Sequence, residues 1–214
     1  VRVLIAEEFS GRIREEFRKL GHDAWSCDWK WDTEIPGQHY RGDIRDILYD
    51  DWDLLIAHPD CTYLANSGVQ HLHRTPANPS PGVLYGKKRQ AAMREGAKFL
   101  KMHLDCDHIP LIAVENPIPH RYAIAAIGRK YTQIIQPYQF GDAEQKATCL
   151  WLKGLPPLVP TKLIPKHLRK QSVFLASPGP QRAHERSRTF LGIARAMAAQ
   201  WGHMGTAIPQ RRTA

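Results

Sequence analysis

Two groups in this sequence could do chemistry together, a thiol and a carboxyl, and each stands where an apolar run stops. In DLLIAHPDCTYLANSG the chain passes from Leu54-Leu55-Ile56-Ala57 into Pro59-Asp60-Cys61, and in PLIAVENP Glu115 follows Leu111-Ile112-Ala113-Val114 directly. Alone, Cys61 reads either as a small buried hydrophobe or as a nucleophile. Glu115 needs a hydrogen-bonding partner if it is partly desolvated by its apolar neighbours. Desolvation predicts a raised pKa, which would make it a proton donor near neutral pH. A thiol and a poised carboxyl at neighbouring strand ends suit nucleophilic catalysis with proton transfer.

The elements that must position this pair are legible from periodicity. Val1 to Ala6 is a short apolar strand, Glu7 to Gly11 a turn, and Ile13, Phe17 and Leu20 mark a helix closed by Gly21. A second strand, Asp23 to Asp28, is followed by Gly42-Asp43-Ile44 and then by the strand ending at Ala57. The stretch HLHRTPANPSPGVLYGKKR reads as a long functional loop, Ala91 to His103 as a helix and Pro110 to Pro117 as a buried strand. Tyr131 to about Lys153 suits a hairpin, residues 154–188 are proline-rich and basic, and Gly192 to Trp201 is a last helix. Strands alternating with helices predict an α/β fold with a mostly parallel sheet covered on both faces.

Ligands of such sheets bind beyond the carboxyl ends of the strands. Those ends carry Phe9-Ser10-Gly11, Asp28-Trp29, Pro59-Asp60-Cys61 and Glu115-Asn116-Pro117. Gly11 either permits a tight turn or lets a ligand approach. Asp28 suits the two hydroxyls of a ribose, or is a solvated turn acid. Trp29 covers a purine or a core edge, and Asp43 caps a helix or meets a ligand.

The 214 residues allow one main domain, and 43% hydrophobic with 24% charged residues is ordinary for a globular chain. No apolar run reaches membrane-spanning length, and the start, VRVLIAEEF, does not read as a signal peptide, so a cytoplasmic protein without membrane attachment is expected. Four dispersed cysteines argue against a disulfide scaffold and a structural zinc site. A net charge of +9, thickening towards Lys162, Lys166, Arg169, Lys170, Arg182, Arg186 and Arg188, favours a polyanionic partner.

Taken in order, Phe-x-Gly, an acid after the second strand, Gly-Asp-Ile, Pro-x-Cys and Glu-Asn resemble the cytosine C5 DNA methyltransferases, more closely their compact phage and prophage forms. AHPDCTYLANSG, AVENP, QPYQFGDAEQKATCLWLKGLPPL and ERSRTFLGIARAMA carry the likeness over nearly the whole chain. The resemblance implies a Rossmann-like class I methyltransferase sheet binding S-adenosylmethionine, formed by residues 1–135 and 189–205, with 136–188 as a reduced target-recognition region. It implies no metal. It implies DNA, double- or single-stranded, as partner, with no obligate protein partner and a bacterial host cytoplasm as setting.

By the same resemblance Cys61 is the nucleophile, Glu115 holds the N3 edge of cytosine, and Asn116 fixes the turn. Phe9, Ser10, Gly11, Asp28, Trp29, Asp43, Ile44 and Pro59 would surround the cofactor. Asn66, Ser67, Arg74, Lys87, Lys88, Gln139, Lys146, Arg186 and Arg188 would meet the substrate, with His71, His73 and Arg89 on the same loop side. The pattern departs from the family's in Asp60 and Thr62 around the cysteine, in Pro117 after Glu-Asn, in a thinner glycine turn and in the lack of a clear Gln-x-Arg element; Gln139 with Lys146 is the nearest substitute. Free-nucleotide modification, or nucleic-acid binding without catalysis, are the competing readings.

Overall fold

Apolar residues on both faces of one strand need cover on both sides, and β1 (Arg2–Ala6), β4 (Leu54–Ala57) and β5 (Leu111–Pro117) have that character. In the computed structural model, which describes residues 1–30, 32–175 and 182–204, they form the centre of a seven-stranded sheet. The other strands are β2 (Asp23–Cys27), β3 (His39–Tyr40), β6 (Gln133–Ile135) and β7 (Thr148–Lys153), and the order is β3-β2-β1-β4-β5-β7-β6. Strands β1 to β5 pair in parallel, and β7 runs antiparallel to both β5 and β6. This order, with one reversed strand, is that of the expected Rossmann-like class I methyltransferase sheet.

Alternation along each strand divides the core in two. Leu4, Leu55, Ile112 and Val114 face Met93, Ala97 and Leu100 of α2 (Gly86–Leu104) and Ala123 and Ile127 of α3 (Arg121–Ile127). Val3, Ile5, Leu54, Ile56 and Ala113 belong to the other layer, with Ile13 and Phe17 of α1 (Arg12–Lys19). Two short helices, α4 (Ser172–Leu175) and α5 (Arg182–Ser187), precede α6 (Leu191–Trp201), whose Ile193, Met197 and Trp201 complete that layer. None of the helices among the described residues is long and apolar enough to cross a membrane.

Three expectations change. The helix expected from Ala91 starts at Gly86, so Lys87, Lys88 and Arg89 belong to its first turn and not to the loop. Arg89 is buried, donating to the carbonyl of Thr62 at 3.0 Å, and therefore anchors the turn after Cys61 instead of reaching outward. A 3-10 helix, Asn66–Leu72, also takes up the start of the expected loop. Finally, β7 lies inside the 136–188 stretch assigned to target recognition, yet it is an internal strand of the sheet.

Candidate functional site

The chain leaves β1 for one flank of the sheet and reaches β4 on the other side, so a crevice opens beyond the strand ends where the order reverses. On the β1–β2 side lies a cavity of about 320 Å³, lined by Asp28, Trp29, Gly42, Asp43, Ile44 and Arg45 with Glu7, Cys27 and Phe99. Asp28 is buried and accepts the amide of Lys30 at 2.7 Å. Trp29 stands 73% exposed, an aromatic face with one side open. Asp43 caps the 3-10 turn Ile44–Asp46 by accepting the Arg45 amide at 2.9 Å, and its carboxylate also pairs with the Arg45 guanidinium. The side-chain and backbone hydrogen bonds from Arg45 hold its pKa down at about 2. Capping and lining the cavity are thus compatible roles for Asp43.

Phe9, Ser10, Gly11 and Pro59 are not among the residues lining that cavity. Phe9 is buried, its ring stacked on His184 of α5 with centroids 4.2 Å apart. Gly11 has φ 71°, a left-handed conformation that suits glycine at this turn. Its amide donates to Glu8 at 3.0 Å, and the Ser10 hydroxyl donates to the same carboxyl. The protein's own Glu8 therefore occupies the amide at the start of α1. Burial pushes the Glu8 pKa up, against the hydrogen bond from Ser10 and the charge of His58.

Across the switch point, β4 and β5 bring together the turn of Cys61 and the carboxyl of Glu115. Asn116, fully buried, donates from Nδ2 to the carbonyl of Pro59 at 2.9 Å and so ties the cysteine turn to β5. Asp60 folds back on the turn, its Oδ1 accepting the amide of Thr62 at 2.8 Å and the Thr62 hydroxyl at 2.5 Å. This Asx-type turn is the structural reason for the acid beside the thiol. Its electrostatic effect is adverse: burial, then the charges of Asp60 and Glu115, push the half-buried Cys61 thiol up to about 11, with Lys146 opposing.

Glu115 departs from expectation. Burial does act to raise its pKa, but a hydrogen bond from His58 (Nδ1 to Oε2, 3.3 Å), the charge of Lys146 and a contact with Thr148 outweigh it, and the net shift is downward. With these partners it is a stabilised carboxylate, not a poised acid. Lys146 donates to the carbonyl of Arg186 at 3.0 Å, and it lines a cleft of about 30 Å³ with His58, Glu115, Thr148 and Ser187 to Phe190. Residues 187–190 form one wall of this cleft, and their segment is tied down at two further points. The Arg188 guanidinium makes a two-pronged pair with Glu34 (Nη2 to Oε1 2.7 Å, Nε to Oε2 3.1 Å), while Arg12 donates to the carbonyl of Thr189 at 2.7 Å.

The remaining substrate candidates lie apart from both recesses or serve the backbone. Asn66, Ser67, Arg74, Lys87 and Lys88 are exposed. Gln139 accepts the amide of Gln136 at 2.7 Å in a capping box, so Lys146 stands at the cleft without it. The rings of His71 and His73 meet Tyr85 and Tyr122 edge-on, each with centroids 5.0 Å apart. Among the described residues no group of three or more His, Cys, Asp or Glu side chains is arranged to hold a metal ion. Sequence reasoning passed over Glu7, Glu8, His58 and His103. The only local signal was position, since Glu7-Glu8 and His58 each follow a buried strand immediately.

No protein-family model and no curated protein sequence matches the chain. Among solved structures it is similar to the Entamoeba histolytica methyltransferase EhMeth, at 13% identity and a TM-score of 0.42, over 77% of this chain. The chain spans 57% of the length of that protein. The fold assignment rests on the strand order itself.

Proposed function

We propose that this protein methylates C5 of cytosine in DNA, using S-adenosylmethionine and a covalent bond between Cys61 Sγ and C6 of the base. The observation that carries the reading is the placement of two recesses on either side of the switch point. One is acidic with an open tryptophan, and the other holds a carboxylate and a lysine beside a cysteine turn.

The first recess fits a nucleoside: Asp28 offers an acceptor for ribose hydroxyls, while Trp29 and Ile44 supply apolar surface for a ring. Bound there, S-adenosylmethionine would supply an electrophilic methyl group. The chain's own contribution is at the cleft. Cytosine C5 is a weak nucleophile, and addition of the Cys61 thiolate at C6 turns the ring into an enamine whose C5 is reactive; once C5 carries the methyl group, loss of the C5 proton to a solvent base expels the Cys61 thiolate and restores the aromatic ring. Glu115, once it takes up a proton, shares it with N3 as charge builds on the ring. A neutralised Glu115 also ceases to oppose the thiolate. Lys146 supplies the positive charge for the ring carbonyl, the task for which no arginine element was found. A base within a duplex cannot reach such a cleft, so it must be flipped out or already unpaired, and segment 182–190 must move to admit it.

A second reading, a nucleic-acid-binding protein of this fold with little catalysis, is favoured by the thiol held at about 11. One assay separates the two. Purified protein and a Cys61→Ala variant are incubated with methyl-labelled S-adenosylmethionine and DNA, dCMP or no acceptor. Label in DNA that vanishes with the variant supports methyl transfer through Cys61. Label confined to dCMP moves the activity to free nucleotides, and DNA binding without label selects the second reading.

A further inference from the structure

Glu7 is a non-glycine residue with φ of 53°, a conformation L-residues adopt only at a cost. The bend turns its side chain from the tip of β1 towards α2, where Oε1 meets His103 Nε2 at 3.1 Å. His103 is fully buried, and its other nitrogen, Nδ1, faces the carbonyl of Phe99 at 2.9 Å. Both ring nitrogens therefore face acceptors, an arrangement satisfied when the ring carries both protons. Burial works to lower the pKa of His103, but the charge and hydrogen bond of Glu7 and the carbonyls of Phe99 and Leu100 raise it on balance. The second carboxylate oxygen, Oε2, is buried without a hydrogen-bond partner, and Glu7 lines the 320 Å³ cavity.

A strained backbone, an ion pair and a buried acceptor left open need a common explanation, since an unsatisfied buried carboxylate oxygen is costly. We propose that Glu7 is a ligand-binding residue of the cavity, its Oε2 accepting a hydrogen bond from a hydroxyl or ammonium group of the bound nucleoside compound, with buried His103 as the positioning residue that fixes its carboxylate. This rests on the nucleoside reading of the cavity. The ribose and the amino-acid arm of S-adenosylmethionine both carry such donors.

The test is calorimetric titration with S-adenosylhomocysteine and with adenosine, which lacks the amino-acid arm. Removing a charged acceptor weakens binding by about 10- to 100-fold. That loss is expected for Glu7→Gln with S-adenosylhomocysteine. An equal loss with adenosine identifies a ribose hydroxyl as the donor, and a loss confined to S-adenosylhomocysteine identifies the ammonium group. Glu7→Gly, which relaxes the left-handed backbone, gives the same loss, and it decides the matter should the glutamine variant not fold. His103→Gln tests positioning. In the parent protein, the affinity of whichever ligand loses binding in Glu7→Gln falls as pH rises through the raised His103 pKa, because an uncharged ring no longer holds Glu7 in place; His103→Gln shows no such fall. The other ionisable groups around the cavity are Cys27, Asp28, Asp43, Arg45 and Asp46; the Asp43 carboxyl is held down at about 2, its partner Arg45 is raised, and the Cys27 thiol is pushed up to about 12. Glu7 variants that bind within twofold of the parent overturn this inference alone. A parent protein that binds neither compound overturns the nucleoside reading and this inference with it.

Discussion

Asp60→Asn should make Cys61 more reactive without disturbing its turn. Asparagine keeps the Oδ1 that accepts from the Thr62 amide and hydroxyl, so only the charge is lost. The Cys61 pKa rises from 9.0 to about 11, with burial the largest cause, Asp60 next, Glu115 third and Lys146 acting in the opposite sense. Asp60 is exposed and its field screened. Its share of the rise is therefore smaller than that of burial, and its removal brings the thiol part of the way back towards the ordinary range. At pH 8 a thiol of pKa about 11 is roughly one part in a thousand thiolate, and the substitution raises that fraction about two- to sixfold. The rate of Cys61 carbamidomethylation by iodoacetamide, followed by peptide mass spectrometry from pH 7 to 10, measures it directly. Cys27, Cys106 and Cys149 are buried and serve as internal references. An unchanged rate in Asp60→Asn, with a rise in Glu115→Gln, would show that Asp60 is too well solvated to matter and that the electrostatic account of the turn is wrong.

Other expectations follow from the same geometry. Asn116→Ala removes the donor to the Pro59 carbonyl in a fully buried setting and should lower stability by about 1–3 kcal/mol, seen as a lower urea midpoint. Glu34→Ala breaks the two-pronged pair with Arg188; limited proteolysis should cut faster within 182–190 while stability changes by less than about 1 kcal/mol. Glu8 is a buried carboxyl whose folded pKa lies above its unfolded one, so the native state binds the extra proton and stability falls as pH rises through that interval. In Glu8→Gln the fall in melting temperature between pH 4 and 8 should shrink, and an equally steep fall would assign it to other groups.

Strands β1, β4 and β5 were legible because their burial on both faces leaves unbroken apolar runs, and the carboxyls at their ends stood out against those runs. The start of α2 was hidden by charge: Lys87-Lys88-Arg89 reads as loop, and only the fold reveals that Arg89 is spent on the backbone of Thr62. The hairpin expected over Tyr131 to Lys153 is present as β6 and β7, but nothing in its spacing tells that β7 also pairs with β5 and so joins the main sheet. The pKa of Glu115 could not be inferred from its neighbours in the chain. Desolvation is a local property, legible from Leu-Ile-Ala-Val, whereas the opposing hydrogen bond comes from His58, 57 positions away. Gln139 and Lys146 show the same limit, since nothing in their spacing tells that one closes a backbone turn and the other faces the cleft.

Segment 182–190 meets the cleft through Lys146 and is bound at Glu34 to the loop that follows Asp28 and Trp29 of the cavity. Two occupants that each displace or brace the same nine residues cannot bind independently. Whatever factor the first imposes on the affinity of the second, the second must return to the first. Equilibrium titrations in each order would close a thermodynamic square, and a preferred sequence of loading would appear in steady-state inhibition patterns as competition against one ligand only.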